Sequence, residues 1–312
     1  MRQKKHSSTA DITNRSSGEV RNLCHGCLRW HDCSPSFSEH WRPIGVRNPL
    51  LSSDIGAIKS IVLSDTKIFT AHQDGKIRVW EQNRRQHLRQ AAAIPTMTNF
   101  DVISAIAIRG GLLYSTSWDR TLKVWRLSDF RCLESVRAHD DAISALAVSA
   151  DGTAYTGSAD VTIKVWTRST GANSQHSLVA TLEMHRPAVN ALALSSDGSV
   201  LYSGSSDRSV LVWEKEGGAG RMAVTSTLRG HSQAVLCVAN ALELLASGSA
   251  DDTIRIWRRG INNQYSTVAV LEGHERPVKS LAIAPSECTS GLVLIYSGSL
   301  DGEIKAWRVT QP

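Results

Sequence analysis

A tryptophan recurs in one fixed context through most of the chain. KIRVW ends at Trp80, TLKVW at Trp125, TIKVW at Trp166, SVLVW at Trp213, TIRIW at Trp257 and EIKAW at Trp307, at spacings of 45, 41, 47, 44 and 50 residues. An aspartate stands six residues before each one: Asp74, Asp119, Asp160, Asp207, Asp251 and Asp301. A period of this length marks a repeat architecture, in which each unit is one supersecondary motif that cannot bury its apolar face alone. The repeat also accounts for an imbalance in the 312 residues, which hold nine Trp against four Phe and five Tyr.

Each unit reads as strands. AISALAVS (142–149) alternates small or apolar residues, and TAYTGS (153–158) and TIKVW (162–166) are short and rich in β-formers. Between the second and third strands, ADV (159–161), SDR (206–208) and LDG (300–302) leave room only for a tight hairpin turn. RCLESV (131–136), VATL (179–182) and VTSTL (224–228) supply a weaker fourth strand. Four antiparallel strands per unit, stacked radially, make a β-propeller. The expectation is an all-β chain with six clear four-stranded blades and a degenerate or incomplete seventh allowed for at the N-terminal side. The repeats fall at about 54–82, 99–127, 139–168, 185–215, 231–259 and 274–309.

Residues 41–312 are assigned to the propeller and 1–40 to a basic, disordered tail. Trp41 lies 17 residues before Ile58, close to the 18 between Trp125 and Ile143. Residues 41–53 therefore read either as the end of a truncated blade or as an outer strand that closes a six-bladed ring.

Four units carry a histidine four residues before the branched apolar residue of the first strand: His139, His185, His231 and His274. At the same offset the first two units have Asp54 and Asn99.

These residues resemble the WD-repeat (WD40) family of β-propellers, over about residues 54–312. The resemblance implies a hydrogen-bonded chain in each blade: His139, Thr156, Asp160 and Trp166; His185, Ser203, Asp207 and Trp213; His231, Ser247, Asp251 and Trp257; His274, Ser297, Asp301 and Trp307. The first two units keep Thr70, Asp74 and Trp80, and Ser115, Asp119 and Trp125, and are expected to be less rigid for want of a member. AHQDGKIRVW (71–80), LLYSTSWDRTLKVWR (112–126), CLESVRAHDDAISAL (132–146) and YSGSLDGEIKAW (296–307) are similar to the plant JINGUBANG-like WD-repeat proteins, a group with seven repeats. Glu81, Arg126, Thr167, Glu214, Arg258 or Arg308 follows each Trp, never the Asp that names the family. That departure counts against the ubiquitin-ligase substrate-adaptor role of some members.

The repeated His, Ser or Thr and Asp superficially suggest a hydrolase triad. A set that occurs four times at one spacing reads instead as architecture, and no nucleophile elbow, phosphate loop or His-Glu-x-x-His is present. No enzyme activity and no cofactor are expected. Cys24, Cys27, His31 and Cys33 offer a Cys3His zinc set, but the His-x-Cys end is too tight for the usual spacing, so no metal is assigned. Cys132 and Cys237 fall on expected strands and read as small buried hydrophobes, while Cys288 falls in a loop.

The net charge of +6 invites a nucleic-acid reading. Residues 1–49 hold eight of the 35 Lys/Arg and four of the 29 Asp/Glu, so the body is nearly balanced and the basicity belongs to the tail. A nucleic-acid or metal role is therefore left to that tail as an alternative. No apolar run is long enough to span a membrane, the first 18 residues lack the core of a secretory signal, and six Cys in this length make no disulfide framework. A monomeric propeller in the cytoplasm or nucleus is expected.

Binding is where the architecture points. Trp118 precedes Asp119 where other units have Ala159, Ser206 and Ala250, and should project onto the face ringed by the hairpin turns. Arg120, Asp140, Asp141, Arg186, Arg208 and Arg276 occupy equivalent turns or loops. This mixed-charge rim suits a protein or peptide better than a phosphate backbone. The expected function is a regulatory protein-interaction scaffold.

Overall fold

The computed structural model describes residues 56–64, 67–82, 88–90, 97–169, 175–215, 221–260, 263–285 and 292–310. The tail 1–40, the segment 41–53, the Cys24/Cys27/His31/Cys33 cluster and Cys288 lie outside the described residues. What is described is a six-bladed β-propeller.

Blade 1 consists of β1 (Ile58–Ser64), β2 (Lys67–His72), β3 (Ile77–Gln82) and β4 (Leu88–Gln90). Blade 2 is β5 (Ile103–Arg109), β6 (Leu112–Ser117), β7 (Thr121–Arg126) and β8 (Cys132–Arg137). Blade 3 is β9 (Ile143–Val148), β10 (Ala154–Ser158), β11 (Ile163–Arg168) and β12 (His176–Leu182). Blade 4 is β13 (Val189–Leu194), β14 (Val200–Ser205), β15 (Ser209–Lys215) and β16 (Met222–Arg229). Blade 5 is β17 (Val235–Ala241), β18 (Leu244–Ser249), β19 (Ile254–Arg259) and β20 (Tyr265–Leu271). Blade 6 is β21 (Val278–Pro285), β22 (Leu292–Ser299) and β23 (Ile304–Thr310), three strands among the described residues. Every blade is an antiparallel meander in chain order.

Burial follows strand position. The second strand is covered on both faces: all six residues of β6, β14 and β18 are buried. The outer strand faces solvent on one side, as β8 does. Cys132, the first residue of β8, is therefore exposed rather than buried as the sequence suggested, whereas Cys237 on inner strand β17 is 4% exposed. The pairing of third and fourth strands shifts register just before the tryptophan, at Val124/Trp125, Val165/Trp166, Val212/Trp213 and Ile256/Trp257. Such bulges increase local twist.

The apolar core lies between blades. Phe69, Ile77 and Val79 of blade 1 pack with Ile103, Leu113 and Trp125 of blade 2. Leu122 and Val124 meet Ile143 and Trp166; Ile163 and Val165 meet Val189 and Trp213. Val210 and Val212 meet Val235 and Trp257; Ile254 and Ile256 meet Val278 and Trp307. Each of these tryptophans thus packs on the blade before its own. The approach is close enough to exclude a side chain at Gly157, where a Cβ would stand 2.7 Å from Val189 Cγ1.

Candidate functional site: the blade networks and the face they hold

Each hairpin turn between second and third strands sits against the loop before the first strand. Trp118 N–H donates to Val102 O at 3.0 Å, Ala159 N–H to Ala142 O at 2.9 Å and Ser206 N–H to Ala188 O at 3.0 Å. Together these turns and loops form one face, here called the top.

A polar chain runs from the core to that face. In blade 3, Trp166 Nε1 donates to Thr156 Oγ1 at 3.0 Å, Thr156 Oγ1 lies 2.7 Å from His139 Nε2, and His139 Nδ1 lies 2.8 Å from Asp160. In blade 4, Trp213 to Ser203 is 2.8 Å, Ser203 to His185 2.8 Å and His185 to Asp207 2.6 Å. In blade 5, Trp257 to Ser247 is 2.8 Å, Ser247 to His231 2.9 Å and His231 to Asp251 2.9 Å. In blade 6, Trp307 to Ser297 is 2.8 Å, Ser297 to His274 2.8 Å and His274 to Asp301 2.7 Å.

The chain has a direction. An ionised carboxylate only accepts, so the imidazole Nδ1 carries the proton and donates to it. Nε2 then accepts from the hydroxyl, and the hydroxyl oxygen accepts from the indole N–H. Burial lowers the His139 and His231 pKa, against the pull of Asp160 and Asp251, and favours this neutral form. Burial would raise the Asp207 and Asp251 carboxyls, but hydrogen bonds from His185 and Ser209, and from Thr253 and His231, outweigh it and hold both at about 2. The aspartate also gathers backbone N–H groups. Asp160 accepts from Thr162 in the turn and Asp140 in the loop, and Asp251 from Thr253 and Ser232.

This order of contacts matches a catalytic triad, but the surroundings do not. Thr156, Ser203 and Ser247 are 0% exposed, and each hydroxyl already accepts the indole proton. No substrate carbonyl can reach them.

In blades 1 and 2 other side chains take up part of the network. In blade 1, His72 at the end of β2 takes the place of the missing upstream histidine, its Nε2 2.8 Å from Thr70 Oγ1, while Trp80 Nε1 donates to the same oxygen at 2.8 Å. Asp74 pairs instead with Arg78 at 2.6 Å. In blade 2, Asn99 bonds Asp119 at 3.3 Å and Thr121 at 3.1 Å, and Trp125 donates to Ser115 at 2.9 Å. His72 was hidden from sequence reasoning because it stands where the other blades have Ser117, Ser158, Ser205, Ser249 and Ser299.

The top face gathers the expected binding residues. Trp118 is 46% exposed, with Lys59 Nζ of blade 1 6.0 Å from the centre of its ring. Arg120, Asp140, Asp141, Arg186, Arg208 and Arg276 are all exposed. Phe100, in the loop before β5, is 96% exposed with Lys123 Nζ 5.4 Å from its ring centre. Sequence reasoning missed Phe100, although it fills the loop position of Asp140 and Arg186. It also missed Leu300, exposed at the turn position of Trp118. A buried pair between blades, His176 Nδ1 to Glu134 at 2.8 Å, left no periodic signal.

Among the described residues no cluster of three or more His, Cys, Asp or Glu could hold a metal, and no helix is long and apolar enough to cross a membrane.

Comparison with known proteins adds the following. A family model described as WD domain, G-beta repeat matches residues 99–126, 130–167, 176–214, 222–258 and 265–308. An uncharacterised WD repeat-containing protein of Schizosaccharomyces pombe is 27% identical over 207 residues, covering 64% of this chain and 52% of that protein. Nuclear distribution protein nudF 1 of Talaromyces marneffei is 34% identical over 134 residues, covering 42% of this chain and 27% of that one. The chain therefore matches only about half of the first relative's length and about a quarter of the second's. Among solved structures, the computationally designed Ika8 protein is similar at a TM-score of 0.61 and 28% identity, over 81% of this chain and 71% of that chain.

Proposed function

The chain belongs to the WD40 repeat family, and from that premise we propose that it is a non-enzymatic, regulatory scaffold whose top face receives a protein or peptide partner. WD40 propellers generally bind other proteins. The carrying observation is Trp118, 46% exposed in a turn whose other copies hold small or polar residues in blades 1, 3, 4 and 5. Aromatic anchors of this kind dominate binding energy in protein interfaces. Exposed acids and bases stand in the equivalent turns and loops of blades 2, 3, 4 and 6, which favours a partner of mixed charge.

The buried hydroxyls of the blade chains support the non-enzymatic part. The ubiquitin-ligase adaptor role has no observation in its favour, since no Asp follows any of the six tryptophans. Kinship with the plant JINGUBANG-like group rests on the four similar segments, and a monomeric state belongs to the same proposal. Cytoplasmic or nuclear residence belongs to the same proposal and rests on the cysteine usage of the sequence.

The test is quantitative pull-down with wild type and a Trp118→Ala, Arg186→Ala variant of matched melting temperature. Loss of specific partners supports the face. An unchanged partner set rejects it without touching the fold.

A further inference from the structure

The six repeats serve as controls for one another. Four exposed side chains that depart from their equivalents gather at one corner of the top face, where blade 1 meets blade 2. Phe100, 96% exposed, stands where blades 3 to 6 have Asp140, Arg186, Ser232 and Glu275. Trp118 is the second. Lys59 stands where blades 2 to 5 have Ser104, Ser144, Asn190 and Leu236. Lys76 stands where blades 2 to 5 have Thr121, Thr162, Ser209 and Thr253, whose hydroxyls donate to the turn aspartate. Lys76 gives Asp74 only its backbone N–H, at 3.1 Å, and its side chain is exposed.

Backbone contacts hold this corner as one surface. Asn99 N–H donates to Gly75 O at 2.8 Å, and a Cβ at Gly75 would stand 2.7 Å from Asn99 O, so the blade 1 turn is seated against the loop before β5. Lys76 pairs with Thr98 of that loop in an isolated bridge. Phe100 N–H donates to Asp119 Oδ2 at 3.0 Å, which ties the loop to the turn that bears Trp118 and Arg120. The two aromatic side chains are therefore mounted on a rigid base.

The charge here is one-sided. Among the described residues Lys59, Lys76 and Arg120 have no ion-pair partner. The neighbouring acids are engaged: Asp74 by Arg78, Asp119 by Asn99, Phe100 N–H and Thr121 N–H, and Asp101 by the N–H of Val102. Three unpaired cations thus accompany two exposed aromatic rings. A nucleic-acid strand needs a cationic track along its length, whereas exposed Asp140 and Asp141 stand in the next loop.

Resting on the reading of the top face as a binding surface, we propose that this corner takes an acidic peptide segment carrying an aromatic or aliphatic side chain. The apolar group packs on Phe100 and Trp118, and the carboxylates beside it pair with Lys59, Lys76 and Arg120. Packing on the rings excludes water and strengthens those pairs. The remainder of the rim, with both signs of charge, meets the rest of the partner.

The test selects random phage-displayed peptides on the full chain and counter-selects them on a Phe100→Ser, Trp118→Ser variant. Peptides that place Asp or Glu beside aromatic or aliphatic residues are expected to be enriched on wild type alone. The top peptide, synthesised with fluorescein, should bind by anisotropy about tenfold or more weakly to a Lys59→Glu, Lys76→Glu variant. It should be little affected by Arg208→Glu in the equivalent turn of blade 4, and should weaken as salt rises. Enrichment of neutral or basic peptides on wild type alone overturns the acidic class and leaves the face standing. Absence of any peptide that distinguishes the two proteins overturns the face as well. Equal losses from the blade 1 and blade 4 charge reversals overturn the placement at this corner. A fluorescein-labelled single-stranded oligonucleotide that displaces the peptide at lower concentration makes the ligand a nucleic acid and overturns the peptide.

Discussion

His72 Nε2 stands 2.8 Å from Thr70 Oγ1, so in blade 1 the imidazole arrives from the second strand instead of the upstream loop. Burial, reinforced by Arg78, lowers its pKa from 6.5 to about 4. The folded value lies below the unfolded one, so protons favour the unfolded chain. Stabilisation is complete above pH 6.5 and is lost as pH falls from 6.5 towards 4, by about 3 kcal/mol from this one group. His72→Gln should flatten that part of the profile in urea unfolding between pH 7 and 4. Parallel profiles for the two proteins would falsify the assignment. Asp207, Asp251 and Asp301, held at about 2, act in a lower window: their contribution is present above pH 3.8 and is lost as pH falls towards 2.

Ser203→Ala should be among the most costly single-atom deletions in blade 4. It leaves Trp213 Nε1 and His185 Nε2 without their shared partner in a site that is 0% exposed. Two buried polar groups left unpaired cost roughly 2–4 kcal/mol together. Ser203→Thr keeps the hydroxyl, as Thr156 does in blade 3, and should lose much less. Chemical denaturation of both variants checks the order.

Val161 has φ +67° in the turn after Asp160, where blades 1 and 6 use Gly75 and Gly302. A β-branched side chain in the left-handed region is strained. Val161→Asn should therefore raise stability by about 1 kcal/mol, since asparagine tolerates this conformation. A lower melting temperature for the variant would show that Val161 gains more from packing than it loses in strain.

Gly157→Ala forces a Cβ to within 2.7 Å of Val189 Cγ1 and should cost about 1–3 kcal/mol by overpacking. Adding Val189→Ala opens the same space, so the double variant should be more stable than the sum of the two single losses predicts. Strict additivity in thermal melts would place the clash elsewhere.

The period of the tryptophans and aspartates made the blades legible because it is a one-dimensional signal. AISALAVS, TAYTGS and TIKVW coincide with β9, β10 and β11 to within a residue or two at each end. What escaped was substitution in space. His72 makes in blade 1 the hydroxyl contact that an upstream histidine makes elsewhere, though not the contact to the turn aspartate, and no alignment of offsets places position 72 there. Asn99 was visible at the right offset, but its amide bonds to Asp119 and Thr121 depend on side-chain reach. Cys132 was misread because strand membership does not say whether a residue lies on an inner or an outer strand.

Asp119, Asp160, Asp207 and Asp251 each accept an N–H from the residue two positions on, which fixes the turn backbone from below. The side chains ahead of them carry no such duty, and those behind them are limited only by a left-handed backbone. Ahead of the aspartate stand Gln73, Trp118, Ala159, Ser206, Ala250 and Leu300; behind it stand Gly75, Arg120, Val161, Arg208, Asp252 and Gly302. The rim is thus a set of sockets of constant shape with interchangeable fittings. Recognition can be rewritten one side chain at a time at the position ahead of the aspartate, while the position behind it, left-handed in each turn, admits only residues that tolerate that backbone.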